Sequence, residues 1–490
     1  MIELLLLAII VLIYFPCLNG MPIYDDQQLF QNQIWKWSSM KKPHLRWIPM
    51  MTLAATFNHV PVKYQLQVLH LTSAVFHWMN ALLVKQVALH YMDPVSASVV
   101  MIGYGVHPLA GAAVAPIATR SMILSMTFTL LGILSIQHGL VLLAAPCVLA
   151  AVFCREDAVA IVPLMVILAL QQSPLSAIVL LASFAGIALV MPIRKTWIWL
   201  MARKGDRGML AAGITDSFPQ PIYTMTSATE NILRWPLWAL GFGMNPDPLL
   251  RPITLRSWKF YGALALMAAA LFLLWTGPPV LKLAILVMGF SPWTATWFVQ
   301  LPDGVAESRA YASVLAPPLM LGWLWWPLGL LVCLLWILLA CRRSFQQRHP
   351  VPYWLSAWRE REPKFRVALN LGAAFQAIND MDNARQWHLK ALGLQPSNGI
   401  AMANLGLWHE GLSRVERHLL AQGYVHSGKL DAQEADLRNQ QSLTHLAHAV
   451  EWMEKAEKAC PNDKVVQQYT KMVRESAERV GLKKMEEASV

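Results

Sequence analysis

The residues with the clearest chemical potential are two adjacent aspartates, Asp25 and Asp26, just past the first hydrophobic segment. Residues 2–16, which precede them, are almost all apolar. Two neighbouring carboxylates at a membrane surface repel each other and cost free energy unless a cation, a proton or a substrate lies beside them. The pair is therefore predicted to be a general base or a metal ligand. The alternative is that it caps a short helix beginning near Gln27.

A second group of ionisable residues lies at the ends of apolar segments, where a charge is costly unless it meets an opposite charge. Its members are His107, Arg120, Arg155, Glu156, Asp157, Glu307 and Arg309. We expect these side chains to bind substrate, with Arg120 on the phosphate of a lipid-linked donor. Simpler alternatives stay open. In these alternatives, Arg120 would pair with a membrane-lipid phosphate, and residues 155–157 would form an interfacial turn with an internal ion pair. Glu307 would stabilise a helix N-terminus.

The composition is that of a membrane protein. Only 14% of the residues are charged and 56% are hydrophobic, whereas soluble domains are about 25% charged. The net charge of +11 favours anionic lipid headgroups or phosphate-bearing substrates over nucleic acid, for which no basic-aromatic motif is present. The six cysteines form neither a zinc spacing nor a disulfide framework. A divalent metal at the acidic pair is left open, and no other cofactor is expected.

The apolar segments predict an all-α fold whose first 343 residues form a polytopic membrane domain with about eleven spans. The first span is expected to stay uncleaved, because no basic region or small-residue cleavage site accompanies it. The predicted spans are 2–18, 66–90, 95–114, 121–136, 140–153, 157–170, 175–192, 257–275, 280–299, 311–324 and 326–341.

The C-terminal third has the composition of a soluble helical domain. Residues 344–364 are predicted to be a juxtamembrane linker, and residues 365–490 a tetratricopeptide-like repeat domain. Asn370-Leu371-Gly372 recurs as Asn404-Leu405-Gly406, at the 34-residue period of that repeat. The second unit is interrupted by an insertion of about 31 residues before its second helix resumes near Ala449, and a last helix is predicted near 464–480. Such stacks bind proteins or peptides more often than they catalyse.

An ordered set of short motifs gives the chain a resemblance to a known family. The motifs are Tyr24-Asp25-Asp26, Arg46 to Pro49, His77 to Asn80, His107-Pro108 with Arg120, Arg155-Glu156, Arg234 to Pro236 with Asn245 and Asp247, and Ala306 to Tyr311. Their order resembles the transmembrane and tetratricopeptide-repeat O-mannosyltransferase-like proteins and their bacterial relatives. These are polytopic glycosyltransferases of the GT-C class, and the resemblance covers the whole chain.

The resemblance implies transfer of a sugar from a polyprenyl-phosphate-linked donor to a protein hydroxyl. It implies that Asp26 is the base with Asp25 as its partner, and that Arg46, Arg120 and Arg309 hold the donor phosphate. The repeat tail would recruit the acceptor. The chain departs from the family pattern at Ala112 and Met122, where acidic residues usually stand. A catalytically inactive membrane scaffold, whose repeats dock an envelope or pilus assembly partner, is therefore the alternative function. A weaker third possibility is a polysaccharide ligase or polymerase.

The side of the membrane that carries the site has two interpretations. With about eleven spans, the stretches 19–64, 193–256 and 301–310 share one side with the C-terminal domain. The resemblance favours the extracytoplasmic side, which in a bacterial inner membrane is the periplasm. The large loops carry many Lys and Arg residues, however, whereas the smallest loops carry none. By the positive-inside rule the large loops would then be cytoplasmic.

Overall fold

The fold is that of a computed structural model of the chain. The structure describes residues 1–23, 26, 47–155, 158, 161–190, 220–248, 250–290, 307–426, 432–461 and 463–480. Within these ranges all regular secondary structure is helical, as the sequence predicts. The chain divides into two compact units, one of Met1–Lys204 and Phe218–Ser356, the other of Gly205–Ser217 and Ala357–Val490. The division after Ser356 falls inside the stretch that the sequence marks as a linker.

Most helices of the first unit follow the apolar segments, but Trp47–His59 and Gln220–Ala239 lie in the stretches predicted to be polar, and Pro350–Ala357 lies in the predicted linker. The helices are α1 (Ile2–Leu18), α2 (Trp47–His59), α3 (Val62–Leu89), α4 (Pro94–Val106), α5 (Gly111–Val114), α6 (Arg120–Gln137), α7 (Val141–Cys154), α8 (Val162–Gln172), α9 (Pro174–Val190), α10 (Gln220–Ala239), α11 (Trp258–Thr276), α12 (Pro279–Phe290), α13 (Ala316–Leu324), α14 (Trp326–Gln347) and α15 (Pro350–Ala357). Two 3-10 helices, Pro108–Ala110 and Glu307–Leu315, precede α5 and α13.

Three of these helices are long and apolar enough to cross a membrane, namely α6, α11 and α14. The bent pair Pro94–Val106 and Pro108–Val114 makes a fourth candidate if it is counted as one span. Other apolar helices in the described part of the chain have 10–17 residues, which is shorter than the roughly 20 residues that a straight span needs. The helices therefore indicate membrane association, while a complete set of eleven spans stays a prediction.

The predicted span 95–114 is broken rather than continuous. Helix α4 ends at Val106, and the segment beyond it is bent away by 42°. His107 is extended, with φ −63° and ψ 127°, because the proline ring that follows disfavours helical geometry at the preceding residue. Its Nδ1 then accepts a hydrogen bond of 3.2 Å from the amide of Leu109. The break lets the chain between 107 and 120 leave the helix axis and form a polar turn.

Helix α4 is the buried centre of the first unit. Two of its glycines let neighbouring helices approach closely. A Cβ on Gly105 would lie 3.1 Å from the side chains of Leu6 and Ile10, and one on Gly103 would lie 3.2 Å from Trp336. Helices α1 and α14, the first and last long helices of the unit, therefore pack against the same small-residue surface. This packing holds α4, and the turn that follows it, in a fixed position.

The described part of the second unit is helical, while its assignment as a tetratricopeptide-like repeat stays a prediction. Its helices are α16 (Phe365–Ala377), α17 (Met381–Leu394), α18 (Gly399–His426), α19 (Ala432–Ala459) and α20 (Lys464–Arg479). The expected insertion forms no separate element among the described residues, because α18 and α19 simply extend to 28 residues each. Gly406 packs on Met453 and Ser413 contacts Ser442, so these two helices are antiparallel.

Candidate functional site

The carboxylate of Asp26 is fully buried in the first unit and is held by backbone amides. Its Oδ2 accepts a hydrogen bond of 3.0 Å from the N–H of Ile117, and its Oδ1 one of 2.7 Å from the N–H of Ala118. Hydrogen bonds that an amide donates to an ionised carboxylate favour the ionised form. The first polar stretch is therefore tied, through Asp26, to the turn that precedes α6.

That turn has the geometry of an anion site. Thr119 fixes it, because its hydroxyl donates to the carbonyls of Ala113 and Pro116 at 2.7 Å each. The turn leads into the N-terminus of α6, where the helix dipole places partial positive charge. Asp26 occupies this site, whereas the alternative that the acidic pair caps a helix beginning near Gln27 lies outside the described residues. The partner of Asp26 lies 91 residues further along the chain.

Arg120 supplies the countercharge for Asp26. Its guanidinium is 1% exposed, and its attraction to the Asp26 carboxylate offsets part of the cost of burying it. The same guanidinium donates to Ser73 Oγ at 3.3 Å, to Thr72 Oγ1 at 2.7 Å and to the carbonyl of Leu69. Arg120 is therefore buried and joins α6 to one face of α3.

Further along the same face of α3, a second cluster joins two of the motifs singled out in the sequence. The Nε2 of His77 lies 3.1 Å from the carbonyl of Gly105, so this nitrogen donates. The Nδ1 must then accept from the hydroxyl of Tyr311 at 2.7 Å. Asn80 donates to the carbonyl of Ile123 at 2.9 Å. His77 and Asn80 thus have packing roles, and they dock the Glu307–Leu315 helix on α3.

Glu307 forms a buried ion pair with Arg343, a residue that sequence reasoning missed. The two side chains are 3% and 5% exposed, and the guanidinium donates to Glu307 Oε2. The last predicted span ends at residue 341, and the predicted membrane domain ends at residue 343. The structure instead continues α14 to Gln347, with Arg343 turned inward. Arg343 follows Ala340 by three residues and Trp336 by seven, so the helical period places all three on one buried face. That spacing could have predicted that Arg343 points inward and needs a charged partner.

A third set of charges surrounds the Arg234 motif. Glu230 is 7% exposed, and its carboxylate pairs with Arg234 at 3.2 Å and with Lys259 at 2.6 Å. In the following turn, Asn245 Oδ1 accepts from the amide of Asp247 at 3.0 Å. Glu230 therefore links α10 to α11 through Lys259, while Arg234 pairs with it within α10.

The remaining predicted site residues differ in burial and in whether the structure describes their side chains. His107 is buried with its ring 4.4 Å from that of Trp336, which makes it a packing residue at the helix break. Arg155 is partly exposed in the extended residue after α7. The side chains of Asp25, Arg46, Glu156, Asp157 and Arg309 lie outside the described residues. The structure thus brings together Asp26 and Arg120, and separately pairs Glu307 with Arg343.

The two positions that depart from the family pattern are apolar and buried. Ala112 and Met122 are 7% and 8% exposed and flank the turn that holds Asp26. Within the described part of the chain, no group of three or more His, Cys, Asp or Glu side chains could hold a metal ion. A metal at the acidic pair would need Asp25, which is outside that part.

The chemical capacity of the site follows from these contacts. Each oxygen of the Asp26 carboxylate accepts one backbone N–H, and a carboxylate oxygen has two lone pairs. The two amides therefore fix the orientation of the carboxylate within the first unit. Comparisons of the chain with protein-family models, with curated proteins and with solved structures find no match.

Proposed function

We propose that this protein is a membrane glycosyltransferase that moves a sugar from a polyprenyl-phosphate-linked donor to a protein hydroxyl. The observation that carries the proposal is the buried Asp26 carboxylate, held by the Ile117 and Ala118 amides near Arg120. A buried carboxylate with fixed geometry is suited to accept a proton from a positioned acceptor. The ordered motifs of the sequence support the same chemistry.

In the proposed reaction the acceptor oxygen attacks the anomeric carbon of the donor sugar. A new carbon–oxygen bond forms as the bond between that carbon and the donor phosphate breaks. Asp26 takes the hydroxyl proton, and the polyprenyl phosphate leaves with the bonding electron pair. Negative charge grows on the leaving phosphate, so cationic side chains that meet it there lower the barrier.

The contacts of Arg120 refine which arginines meet that phosphate. Its guanidinium donates to three groups on α3 and is attracted to Asp26, so we assign it the role of positioning the base. Binding of the donor phosphate then falls to Arg46 and Arg309, the other two arginines that the resemblance implies. The protein would be a multi-pass protein of a bacterial inner membrane, with the site on the periplasmic side and residues 365–490 recruiting the acceptor.

The proposal is tested in cells that carry or lack this chain. Mass spectrometry of envelope proteins should show hexose-sized mass additions on hydroxyl side chains only when the chain is present. The deletion strain complemented with Asp26→Asn should lose the additions, whereas complementation with Asp93→Asn should keep them. Asp93 is a matched control, because its carboxylate also accepts two backbone amides, those of Val95 and Ser96. Identical protein masses in all strains would refute transfer to protein.

The second candidate function is a membrane scaffold without catalysis. It is favoured by two observations: both Asp26 oxygens already accept structural hydrogen bonds, and positions 112 and 122 carry no carboxylate. On this alternative, Asp26→Asn would leave envelope protein masses unchanged. Deletion of residues 365–490 would instead abolish assembly of the partner structure.

A further inference from the structure

A polar cleft of about 460 Å³ lies between α18 and α20 of the C-terminal unit. It is lined mainly by charged side chains. The lining residues include Glu410, Arg414, Arg417, Met472, Glu475 and Arg479. The cleft lies wholly within this unit and takes no part in the proposed chemistry of the membrane unit.

One buried carboxylate organises the inner end of the cleft. Glu410 is 5% exposed, and it pairs with Arg414 at 2.5 Å and with Arg417 at 3.8 Å. Arg417 also donates to Ser476 Oγ at 3.3 Å, which ties α18 to α20. Two guanidiniums therefore share a single carboxylate, and part of their positive charge is left without a partner. The Arg414 side chain is 68% exposed, so this charge is open to a ligand.

The outer end of the cleft carries a looser ion pair. Arg479 lies 3.9 Å from Glu475, and the two side chains are 79% and 48% exposed. Among the lining side chains, three guanidiniums face two carboxylates, which leaves an excess of one positive charge. Lys471, outside the lining, lies 3.9 Å from Glu475. Met472, 40% exposed, adds an apolar contact between the charged groups. The complementary ligand is thus a single negative charge beside an apolar group.

We propose that this cleft binds an acidic segment of a protein partner, with one carboxylate held by Arg414 and Arg479 and a neighbouring apolar side chain on Met472. A peptide carboxylate fits the excess of one positive charge, whereas a doubly charged phosphate would also face Glu410 and Glu475. The inference rests on the proposed recruiting role of residues 365–490. It does not depend on sugar transfer by the membrane unit.

The test uses the full chain in lipid nanodiscs and a fluorescein-labelled, C-terminally amidated hexapeptide, Gly-Asp-Leu-Gln-Met-Gly, followed by fluorescence anisotropy. Binding should weaken at higher salt, because exposed charges are screened. The double variant Arg414→Ala/Arg479→Ala should weaken binding about ten-fold, as expected for loss of two exposed charge contacts. Arg474→Ala is the matched control. It is another exposed α20 arginine, but it pairs with Glu457 and should change binding less than two-fold.

A gain-of-affinity variant separates direct contact from structural damage. Glu475→Gln removes a repelling charge from the cleft without touching the buried core, so the peptide should bind about three-fold more tightly. The proposal is overturned if the amidated Gly-Asn-Leu-Gln-Met-Gly peptide binds equally well, or if Glu475→Gln weakens binding. It is also overturned if the arginine variants impair only adsorption to phosphatidylglycerol vesicles, since that result assigns the charges to lipid. Peptide binding without any glycosylation would refute the transferase and leave the docking site standing.

Discussion

Replacing Gly372 by alanine should destabilise the C-terminal unit, although alanine is normally the better helix former. An added Cβ would lie 2.4 Å from Cε1 and 2.8 Å from Cγ of His388, closer still to Nδ1. The His388 side chain is fully buried, so the imidazole cannot move out into solvent. Overpacking of this kind costs about 1–3 kcal/mol, against a gain in helix propensity of up to about 1 kcal/mol.

The same unit offers a matched control for this substitution. Gly393 lies near the end of α17, and a Cβ there would meet nothing within 4 Å. Gly393→Ala should therefore stabilise α17 by up to about 1 kcal/mol. The two glycine-to-alanine variants should differ in sign, with a gap of about 2 kcal/mol, because only one of them opposes a buried ring.

Hydrogen–deuterium exchange of the full chain, read on peptides from α16 and α17, measures the local opening free energy. A net cost of about 1.4 kcal/mol makes opening ten times more frequent, so exchange in Gly372→Ala should be about ten-fold faster. The double variant Gly372→Ala/His388→Ala should regain part of the loss, because the clashing ring is gone. Exchange in Gly372→Ala that is as slow as in wild type would refute the close helix packing.

Three further predictions follow from buried polar groups. Burial lowers the pKa of His388 from 6.5 to about 4. Because the pKa is lower in the folded than in the unfolded state, the contribution of His388 to the free energy of unfolding is full above pH 6.5. It falls by about 3 kcal/mol on acidification to pH 4. Exchange of α17 measured across that range should show a weaker pH dependence in His388→Asn, and an unchanged one would contradict this. Arg343→Met should destabilise the membrane unit by about 3–5 kcal/mol, because it leaves Glu307 unpaired. The exposed Arg342→Met is the control, and the double variant Glu307→Gln/Arg343→Met should recover stability. All three are compared by thermal unfolding in detergent. Tyr311→Phe leaves the buried His77 Nδ1 without its donor and should lower the free energy of unfolding by about 1–3 kcal/mol. Tyr64→Phe, with a 50% exposed ring, should not shift the thermal unfolding midpoint.

Helix positions could largely be predicted because they depend on local signals. Apolar runs and proline or glycine boundaries placed most helices to within a few residues. The repeated Asn-Leu-Gly motif located the close approach at Gly372 and at Gly406, where Met453 packs. The length of α18 and α19 was missed, because an insertion rich in helix-forming polar residues can lengthen two helices as well as form a loop between them.

The partners of the charged residues could not be predicted from the sequence. Asp26 meets amides 91 and 92 residues away, and Glu307 meets Arg343 at a separation of 36 residues. Such pairings depend on which faces of α3, α6 and α14 pack together, and helical periodicity does not specify that. His107 was expected to bind substrate because it is ionisable, yet burial against Trp336 made it a packing residue at a helix break.

In the proposed reaction, the Asp26 carboxylate takes the acceptor proton during sugar transfer. The direct measurement is the initial rate of labelled-sugar transfer from a polyprenyl-phosphate donor to acceptor protein, in liposomes that contain equal amounts of folded protein. Asp26→Asn should reduce the rate about 10²–10⁴-fold, the usual contribution of a general base, while Asp93→Asn keeps it. A rate in Asp26→Asn equal to that of the Asp93→Asn control would contradict the claim and leave Asp26 as a structural link between the first polar stretch and α6.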